Sequence, residues 1–484
     1  MFDIAAAAEV LKQHKQSHLL KFYDELNDEH RTLLLKQIEG LDFDMLDKLI
    51  KQYVLDPQPL EIPTGMEPPA VIPAVGRNAD EATLAIHAEA RARGEELLAA
   101  GKVAAFTVAG GQGTRLGYEG PKGCLEATPV VKKSLFRVFA EQIRAAAIRH
   151  GKTIPWYIMT SPVNDTPTRA YFRQNDFWGF DPKDVIFLQQ GTLPSIGFDG
   201  KFLLARKYRL AVSPDGHGRS LTALRRSGAL DDMKSRGIEI ISYFQVDNPI
   251  VHAIDPVFIG LHSLKLAEMS AKCVAKCDPL EKVGNFCVVD GRVHVIEYSD
   301  LPDELTQACN TDGRLRFSAG SIAIHLFSRD FVERLTESGY CQLPIHRAEK
   351  KVPHVDITTG ESVSPLAVNA VKLEMFVFDA MQMAKNTVIL ETLREEEFSP
   401  VKNAEGTDSL VTSLHDQIRR AAGWLERAGV TVPRDANGQV AAALEISPLY
   451  ADSEKVLTGK VDTAISITPG QNFYLGSKGQ IGGS

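Results

Sequence analysis

Residues 103–123 read VAAFTVAGGQGTRLGYEGPKG. The run 103–109 is apolar apart from Thr107, the length and character of a buried strand. It leads into Ala109-Gly110-Gly111-Gln112-Gly113-Thr114-Arg115-Leu116-Gly117, and a helix is predicted over 134–149 with Leu135, Phe139 and Ile143 on one face. Strand, glycine loop and amphipathic helix make a βα unit, the building block of a parallel sheet. Four glycines within positions 110–117 let backbone N–H groups approach an anion without Cβ obstruction. Arg115 and Lys122 add fixed positive charge, and a guanidinium grips phosphate oxygens bidentately, so the loop is expected to hold a polyphosphate. A Walker A loop would need Gly-Lys followed by Ser or Thr, and the dinucleotide fingerprint would need a third glycine where Leu116 stands. A plain surface turn from strand to helix is the bland alternative, against which Arg115 and Lys122 weigh.

Outward from this unit, strands are predicted at 155–159, 185–189 and 238–246, with helical stretches at 167–175 and 221–236, giving a mostly parallel, helix-covered sheet. Residues 283–289 and 292–298 flank Asp290-Gly291 and read as a hairpin, which adds antiparallel strands. Residues 1–54 place apolar residues at helical spacing (Leu19, Leu20, Phe22; Leu33, Leu34, Ile38; Leu46, Ile50), predicting several short helices. Prolines crowd the stretch from Pro57 to Pro73, an expected extended connector along the surface, and a helix is predicted from 80 to 100. After a helix ending near Arg427 the chain turns Val-, Thr- and Gly-rich, as in a small, partly β domain. The expected division is 1–100, a helical N-terminal region with its connector; 101–400, the catalytic domain; and 401–484, a small C-terminal domain.

Composition narrows the function. The 54 basic and 62 acidic residues leave a formal charge of −8, which offers no field for a nucleic acid. Six cysteines (Cys124, Cys273, Cys277, Cys287, Cys309, Cys341) without a C-x-x-C pair argue against a disulfide framework or structural zinc; Cys273 and Cys277 read as strand residues. No uncharged apolar stretch approaches the roughly 18 residues of a membrane span, and the N-terminus lacks the order of a signal peptide, so a soluble cytoplasmic protein is expected.

With Pro121-Lys122-Gly123 beyond it, the Ala109–Gly117 motif resembles that of the uridylyltransferases of the UDP-sugar pyrophosphorylase family. Leu188-Gln189-Gln190-Gly191-Thr192-Leu193-Pro194, Pro214-Asp215-Gly216-His217-Gly218, Val246-Asp247-Asn248-Pro249 and Phe398-Ser399-Pro400-Val401-Lys402-Asn403 look most like UDP-N-acetylhexosamine pyrophosphorylases. The resemblance implies an α/β fold: a Rossmann-like nucleotidyltransferase mixed sheet with helices on both faces, a helical N-terminal region and a small C-terminal α+β domain. It implies UTP and a sugar 1-phosphate as partners, no nucleic acid or membrane, and a monomer or homodimer.

By the same resemblance, uracil lies against the backbone of Gly110 and Gly111, with Gln190 and Gly216 reading its edge; a Gln amide carries both the donor and the acceptor that an imide face needs. Asp247 ends an apolar strand, where open α/β sheets collect ligands, and its carboxylate suits Mg²⁺, with Mn²⁺ as the alternative. Arg115 and Lys122 are assigned the departing phosphates, and Lys402 and Lys372 the α-phosphate and the incoming sugar phosphate. For the sugar, the resemblance points to Gly284, Glu297 and Ala319-Gly320-Ser321, with Phe376 and Phe378 as walls. The stretch 372–379 also fits an ordinary buried helix. No Ser-His-Asp or Cys-His arrangement is expected, because a phosphate monoester, with its second pKa near 6, is already an anionic nucleophile at neutral pH.

Two positions depart from the family pattern. Ser321 stands where an asparagine usually serves the sugar, and His217 replaces the asparagine of an Asp-Gly-Asn-Gly segment. Both bear on the sugar, so N-acetylglucosamine 1-phosphate is the expected substrate with glucose 1-phosphate or galactose 1-phosphate as alternatives. A glycosyltransferase and a non-catalytic UDP-sugar-binding protein are rivals from other classes; Arg115 and Lys122, suited to a triphosphate, argue against the first, and Lys122, Asp247 and Lys402 against the second.

Overall fold

Asp3, Asn27 and Asp42 each turn a side-chain oxygen onto a backbone N–H three residues ahead, and these caps start helices α1 (Ile4–Gln13), α2 (Asp28–Glu39) and α3 (Phe43–Ile50). The computed structural model describes residues 2–57, 63, 65–76, 79–339, 341, 343–479 and 481–482, and these form two compact units.

The first unit draws on 1–62, 191–219 and 343–377. Its core buries Leu11, Leu34 and Leu46 of the helices against Phe202, Val371 and Leu373. The strand Ala370–Glu374 is the middle of a three-stranded antiparallel sheet, between His346–Lys350 and Ile196–Gly197. The buried helix that 372–379 also fits is not what forms over 372–374: Val371, Leu373 and Met375 are buried while Lys372, Glu374 and Phe376 are half-buried, the period of two of a strand. A 3₁₀ turn, Val377–Met383, lies beyond it.

The second unit draws on 63–190, 220–342 and 378–484. Compactness thus divides the chain differently from cuts at 100 and 400, because the N-terminal helices bury their apolar faces with two segments from the middle of the sequence. Asp80 caps α4 (Glu81–Ala99), and Ser134 caps α5 (Leu135–His150), which ends on Gly151 in the left-handed region. The central sheet has nine strands: β1 (Val103–Val108), β2 (Trp156–Thr160), β3 (Val185–Gln189), β4 (Ile240–Gln245), β5 (Met269–Ala275), β6 (Gly284–Val289), β7 (Arg292–Ile296), β8 (Ala319–Ser328) and β9 (Thr387–Glu391). Their order is β7-β6-β8-β4-β1-β2-β3, with β5 pairing both β8 and β9. The run β4-β1-β2-β3 is parallel, and β8 joins β4 antiparallel, so the sheet is mixed. β6 and β7 form the expected hairpin on Asp290 and Gly291, both at positive φ. Cys273 lies in β5, whereas Cys277, expected in a strand, is exposed two residues beyond the end of β5.

Gly228, at φ +79°, divides the helical stretch expected over 221–236 into Ser220–Arg226 and Ala229–Ser235. Of the proline-rich connector, residues 58–62 and 64 lie outside the described residues; further on, Glu67 bridges Val288 and Ile72 bridges Leu390, so this part is tied into the second unit. The C-terminal part is a helix, Leu410–Arg427, packed on a small sheet of Ala443–Ile446, Asn472–Leu475 and Ile481–Gly482. Among the described residues no helix is long and apolar enough to cross a membrane.

Candidate active site

Parallel pairing puts the carboxyl ends of β4, β1, β2 and β3 on one edge of the sheet, and the chain leaves that edge through Asp247, the glycine loop, Ser161 to Asn164, and Gln190. This is the edge at which open α/β sheets bind ligands. The loop closes on itself: Lys122 N donates to Gly111 O (3.1 Å), Gly113 N to Gly120 O (3.0 Å) and Tyr118 N to Gly113 O (3.1 Å). Asn164 pins it from β2's end, its Nδ2 donating to Ala109 O (2.9 Å) and Gly111 O (3.2 Å) while its Oδ1 accepts from Ser161 N (2.7 Å). Among the described residues, no protein acceptor takes up the amide N–H of Gly110, Gly111, Thr114 or Arg115. Arg115 is exposed on the 3₁₀ turn Thr114–Leu116.

Gly110 lies close under Gln190: a Cβ there would stand 2.7 Å from Gln190 Oε1 and would have to displace that side chain. Gln190 is buried and its backbone N donates to Thr160 O (2.7 Å), so β2 fixes its backbone and sets the amide beside the glycine pair. Opposite, Lys122 Nζ stands 3.6 Å from Asp247 Oδ2, each side chain 14% exposed. Two residues 125 positions apart thus converge on the same strand edge as the loop. Asp247 O accepts from Val401 N (2.8 Å), which brings Lys402 to this edge; Lys402 is exposed, its Nζ 5.6 Å from the centre of the Phe398 ring. Asp408 completes the neighbourhood. Its carbonyl accepts from Lys402 N (2.6 Å) and Asn403 N (3.0 Å), and its carboxyl is raised above the ordinary range by burial, with Lys402 opposing and Asp247 adding to the shift.

The register of β8 explains how the sugar candidates reach this edge. His325 pairs with Tyr243 of β4, so the antiparallel β8 runs past the end of β4 toward its own start, where β6 takes over and Gly284 pairs with Ser321. Cys273 of β5 flanks Ser321 on the other side. Glu297 follows Ile296, which pairs with Asn285, and is half-buried next to this pair of strands. Phe378 is buried.

Gly216, His217, Phe376 and Lys372 belong to the first unit. There, Met375 N donates to Asp215 O (3.0 Å) and Gly218 N to Met375 O (2.8 Å). Gly216 adopts φ +88°, and a Cβ on it would lie 2.2 Å from Met375 O, so no other residue fits. His217 Nδ1 accepts from Val377 N (3.1 Å), and its ring stacks on Phe376 at 5.3 Å, with His346 4.3 Å from Phe376. Burial, with a smaller contribution from His346, pushes His217 down to about 4, so the imidazole is neutral at pH 7 and carries its proton on Nε2. Lys372 is half-buried on the middle strand, paired with Ala348.

Sequence reasoning passed over Asn164, Asn248 and Asp408. Asn164 stands just past a strand's carboxyl end, the signal that singled out Asp247, and Asn248 is Asp247's neighbour; Asp408 carries no comparable signal because a loop fold brings it to Lys402.

Among the described residues, the three-residue cluster with metal-ligating groups close together is elsewhere, at His252, Asp255 and Glu397. Lys272 Nζ fills it, 2.6 Å from Asp255 and 2.5 Å from Glu397.

A family described as UTP–glucose-1-phosphate uridylyltransferase matches this chain over residues 72–431. UDP-N-acetylhexosamine pyrophosphorylase-like protein 1 of Homo sapiens is 39% identical over 474 residues, 92% of each chain. UDP-N-acetylglucosamine diphosphorylase 2 of Arabidopsis thaliana is 37% identical over 471 residues, 92% of this chain and 89% of its own. The crystal structure of the uridine diphosphate N-acetylglucosamine pyrophosphorylase of Trypanosoma brucei superposes with a TM-score of 0.77 over 95% of each chain at 24% identity, a likeness of fold.

Proposed function

Since the chain belongs to the UTP–glucose-1-phosphate uridylyltransferase family, we propose that it joins UTP and N-acetylglucosamine 1-phosphate into a UDP-sugar with release of pyrophosphate. The observation that carries this reading is the meeting of Lys122 and Asp247 at 3.6 Å beside the glycine loop. It puts a cation for phosphate and a carboxylate for a divalent metal on the strand edge where the nucleotide would lie.

In this reading a phosphate oxygen of the sugar 1-phosphate attacks the α-phosphorus of UTP, a new P–O bond forms, and the bond from that phosphorus to the α,β-bridging oxygen breaks, so that pyrophosphate leaves with the bonding pair. No side chain need take a proton, because the attacking oxygen is already ionised. Catalysis then rests on alignment and charge. The amides of 110–117 with Arg115 and Lys122 hold the β and γ phosphates; Lys402, with Lys372 carried over from the family resemblance, faces the α-phosphate and sugar phosphate. Gln190 and Gly216 read the uracil edge above Gly110 and Gly111. Gly284, Glu297, Ser321, His217 and Phe378 take the sugar.

Asp247 fits Mg²⁺, or Mn²⁺ in its place: a hard oxygen donor, partly exposed, able to share the ion with substrate phosphates as magnesium sites commonly do. When bound, the ion supplies charge that offsets the phosphate oxygens.

One observation favours a different sugar. Ser321 lies between Gly284 and Cys273 with a side chain too short to replace the amide of an asparagine toward an N-acetyl group, which favours glucose 1-phosphate or galactose 1-phosphate. The test is pyrophosphate release from UTP with a panel of sugar 1-phosphates. The expected result is highest kcat/KM with N-acetylglucosamine 1-phosphate; a preference for glucose or galactose replaces the sugar assignment and keeps the chemistry. UTP binding without pyrophosphate release from any sugar makes the chain a binding protein, and sugar transfer from a UDP-sugar without pyrophosphate makes it a glycosyltransferase.

A further inference from the structure

The segment that carries Lys402 is held beside Asp247 by Asn248, and behind it lies a buried ionic cluster; neither has a part in the chemistry above. Asn248, 5% exposed, donates from Nδ2 to Glu397 O (2.7 Å) and accepts at Oδ1 from Ser399 N (3.2 Å), gripping the 397–399 backbone from both sides as a neighbouring strand would. Two residues on, Val401 N donates to Asp247 O (2.8 Å), and Lys402 follows. Three hydrogen bonds from consecutive residues 247 and 248 therefore fix the segment that delivers Lys402. That segment is anchored in turn by the Glu397 side chain, 1% exposed, whose oxygens accept from Lys272 Nζ (2.5 and 2.7 Å), Thr392 Oγ1 (2.8 Å) and His252 N (3.2 Å). Lys272 is itself 1% exposed on β5, in the middle of the sheet, and its third bond goes to Asp255 (2.6 Å).

A buried ion pair of this kind contributes little net stability, and here its acceptor Glu397 carries the backbone carbonyl that Asn248 grips. Both side-chain bonds of Asn248 go to Glu397 and Ser399, and among the described residues the bond from Val401 N to Asp247 O is the one other hydrogen bond between 397–403 and 240–248, while Ser399 is also held by Asp416 (2.6 Å) and Ser413 (2.9 Å). We infer that Asn248 and the Lys272–Glu397 pair are positioning residues that set the placement of Lys402 relative to Asp247, so that the cation and the carboxylate face the same phosphate. The inference rests on the uridylyl-transfer reading for its kinetic consequence and on the hydrogen bonds alone for its structural one.

The test is Asn248→Ala in the full chain, read by kinetics and by amide hydrogen exchange. The expected result is a kcat lower by about 10²-fold, the loss that a misplacement near 1 Å produces, with KM for UTP within about twofold because the loop and Gln190 are untouched. Adding Lys402→Ala to Asn248→Ala should cost no more than Lys402→Ala alone, whereas adding Arg115→Ala should cost its full separate effect. Exchange at the Ser399 amide, which loses its acceptor, should quicken by about tenfold, the scale of one lost hydrogen bond, and exchange at Val401, Lys402 and Asn403 should quicken with it as the segment loosens, while the amides of β4 keep their protection. Lys272→Met with Glu397→Met and Asp255→Asn, which removes the charges of the cluster together, should give the same kinetic pattern. Unchanged exchange at 401–403, or effects of Asn248→Ala and Lys402→Ala that add, would overturn the inference. If the unmodified protein released no pyrophosphate from any sugar 1-phosphate, the proposed function would fall by itself and the exchange at 401–403 would decide the positioning claim unaided.

Discussion

Gly110→Ala should damage uracil recognition by moving a residue it does not replace. The added Cβ would lie 2.7 Å from Gln190 Oε1, about 0.7 Å inside ordinary van der Waals contact at 3.4 Å. The Gln190 backbone does not give, because its N–H is bonded to Thr160 O at the end of β2 (2.7 Å). The side chain must therefore rotate, and at 7% exposure it turns within protein, leaving the imide face of the base without its complementary pair. An unmet buried donor or acceptor costs about 1 to 3 kcal/mol, which corresponds to a loss of about 5- to 150-fold in kcat/KM for UTP. The assay is steady-state pyrophosphate release for Gly110→Ala, Gln190→Ala and the double variant, with CTP as a competing nucleotide. Because the first substitution acts through the second residue, the double variant should match Gln190→Ala alone, and the preference for UTP over CTP should fall in all three. Additive losses would mean that the new methyl obstructs ligand or loop directly, and an unaltered UTP preference in Gln190→Ala would remove that side chain from the base altogether.

Lys122 and Asp247 neutralise one another at 3.6 Å, so metal and nucleotide should bind better together than apart: calorimetric UTP affinity with Mg²⁺ should exceed that without it by a coupling of about 1 to 3 kcal/mol, and Lys122→Met, expected to lower kcat by roughly 10²- to 10³-fold, should reduce that coupling; equal affinities in the unmodified protein would refute the shared site. His217 titrates near 4 in the folded protein against an ordinary value of 6.5, so unfolding takes up a proton as the pH falls; the stability that the neutral imidazole contributes is complete above about 6.5 and is lost between 6.5 and about 4. His217→Asn should accordingly lose less Tm than the unmodified protein between pH 6.5 and 4.5, and parallel curves would count against a buried neutral imidazole. Burial pushes Cys124 and Cys273 up to about 12 and Cys287 up to about 11, and Cys341 is also buried, so a thiol reagent at pH 7.5 should label Cys277 and Cys309 rapidly and the other four after denaturation; fast labelling of Cys124, beside the glycine loop, would show that region to be open.

What could be read from the sequence and what could not divide by the range of the forces involved. The β1 strand, the loop and its helix were legible because apolar runs, glycines and caps act over a few residues. Asp247 was legible as a strand-end carboxylate for the same reason. The strand at Ala370–Glu374 also fitted a buried helix because the apolar run 375–378 after it hides the alternation of Val371, Leu373 and Met375 with Lys372 and Glu374; the partners that decide, His346–Lys350 and Ile196–Gly197, are distant in sequence. The same holds within the candidate site. Local pattern nominated Lys122 and Asp247 separately, and Lys402 came from the family resemblance, but their convergence depends on the β1–β4 register and on hydrogen bonds from Asp247 and Asn248 to residues some 150 positions later. Asn164 and Asn248 illustrate why such residues escape: a neutral amide has no charge or metal-ligand chemistry to single it out, and its role lies wholly in which backbone groups the folded chain sets before it. The residues that do chemistry carry their signature in their type, whereas those that aim them carry it only in three dimensions.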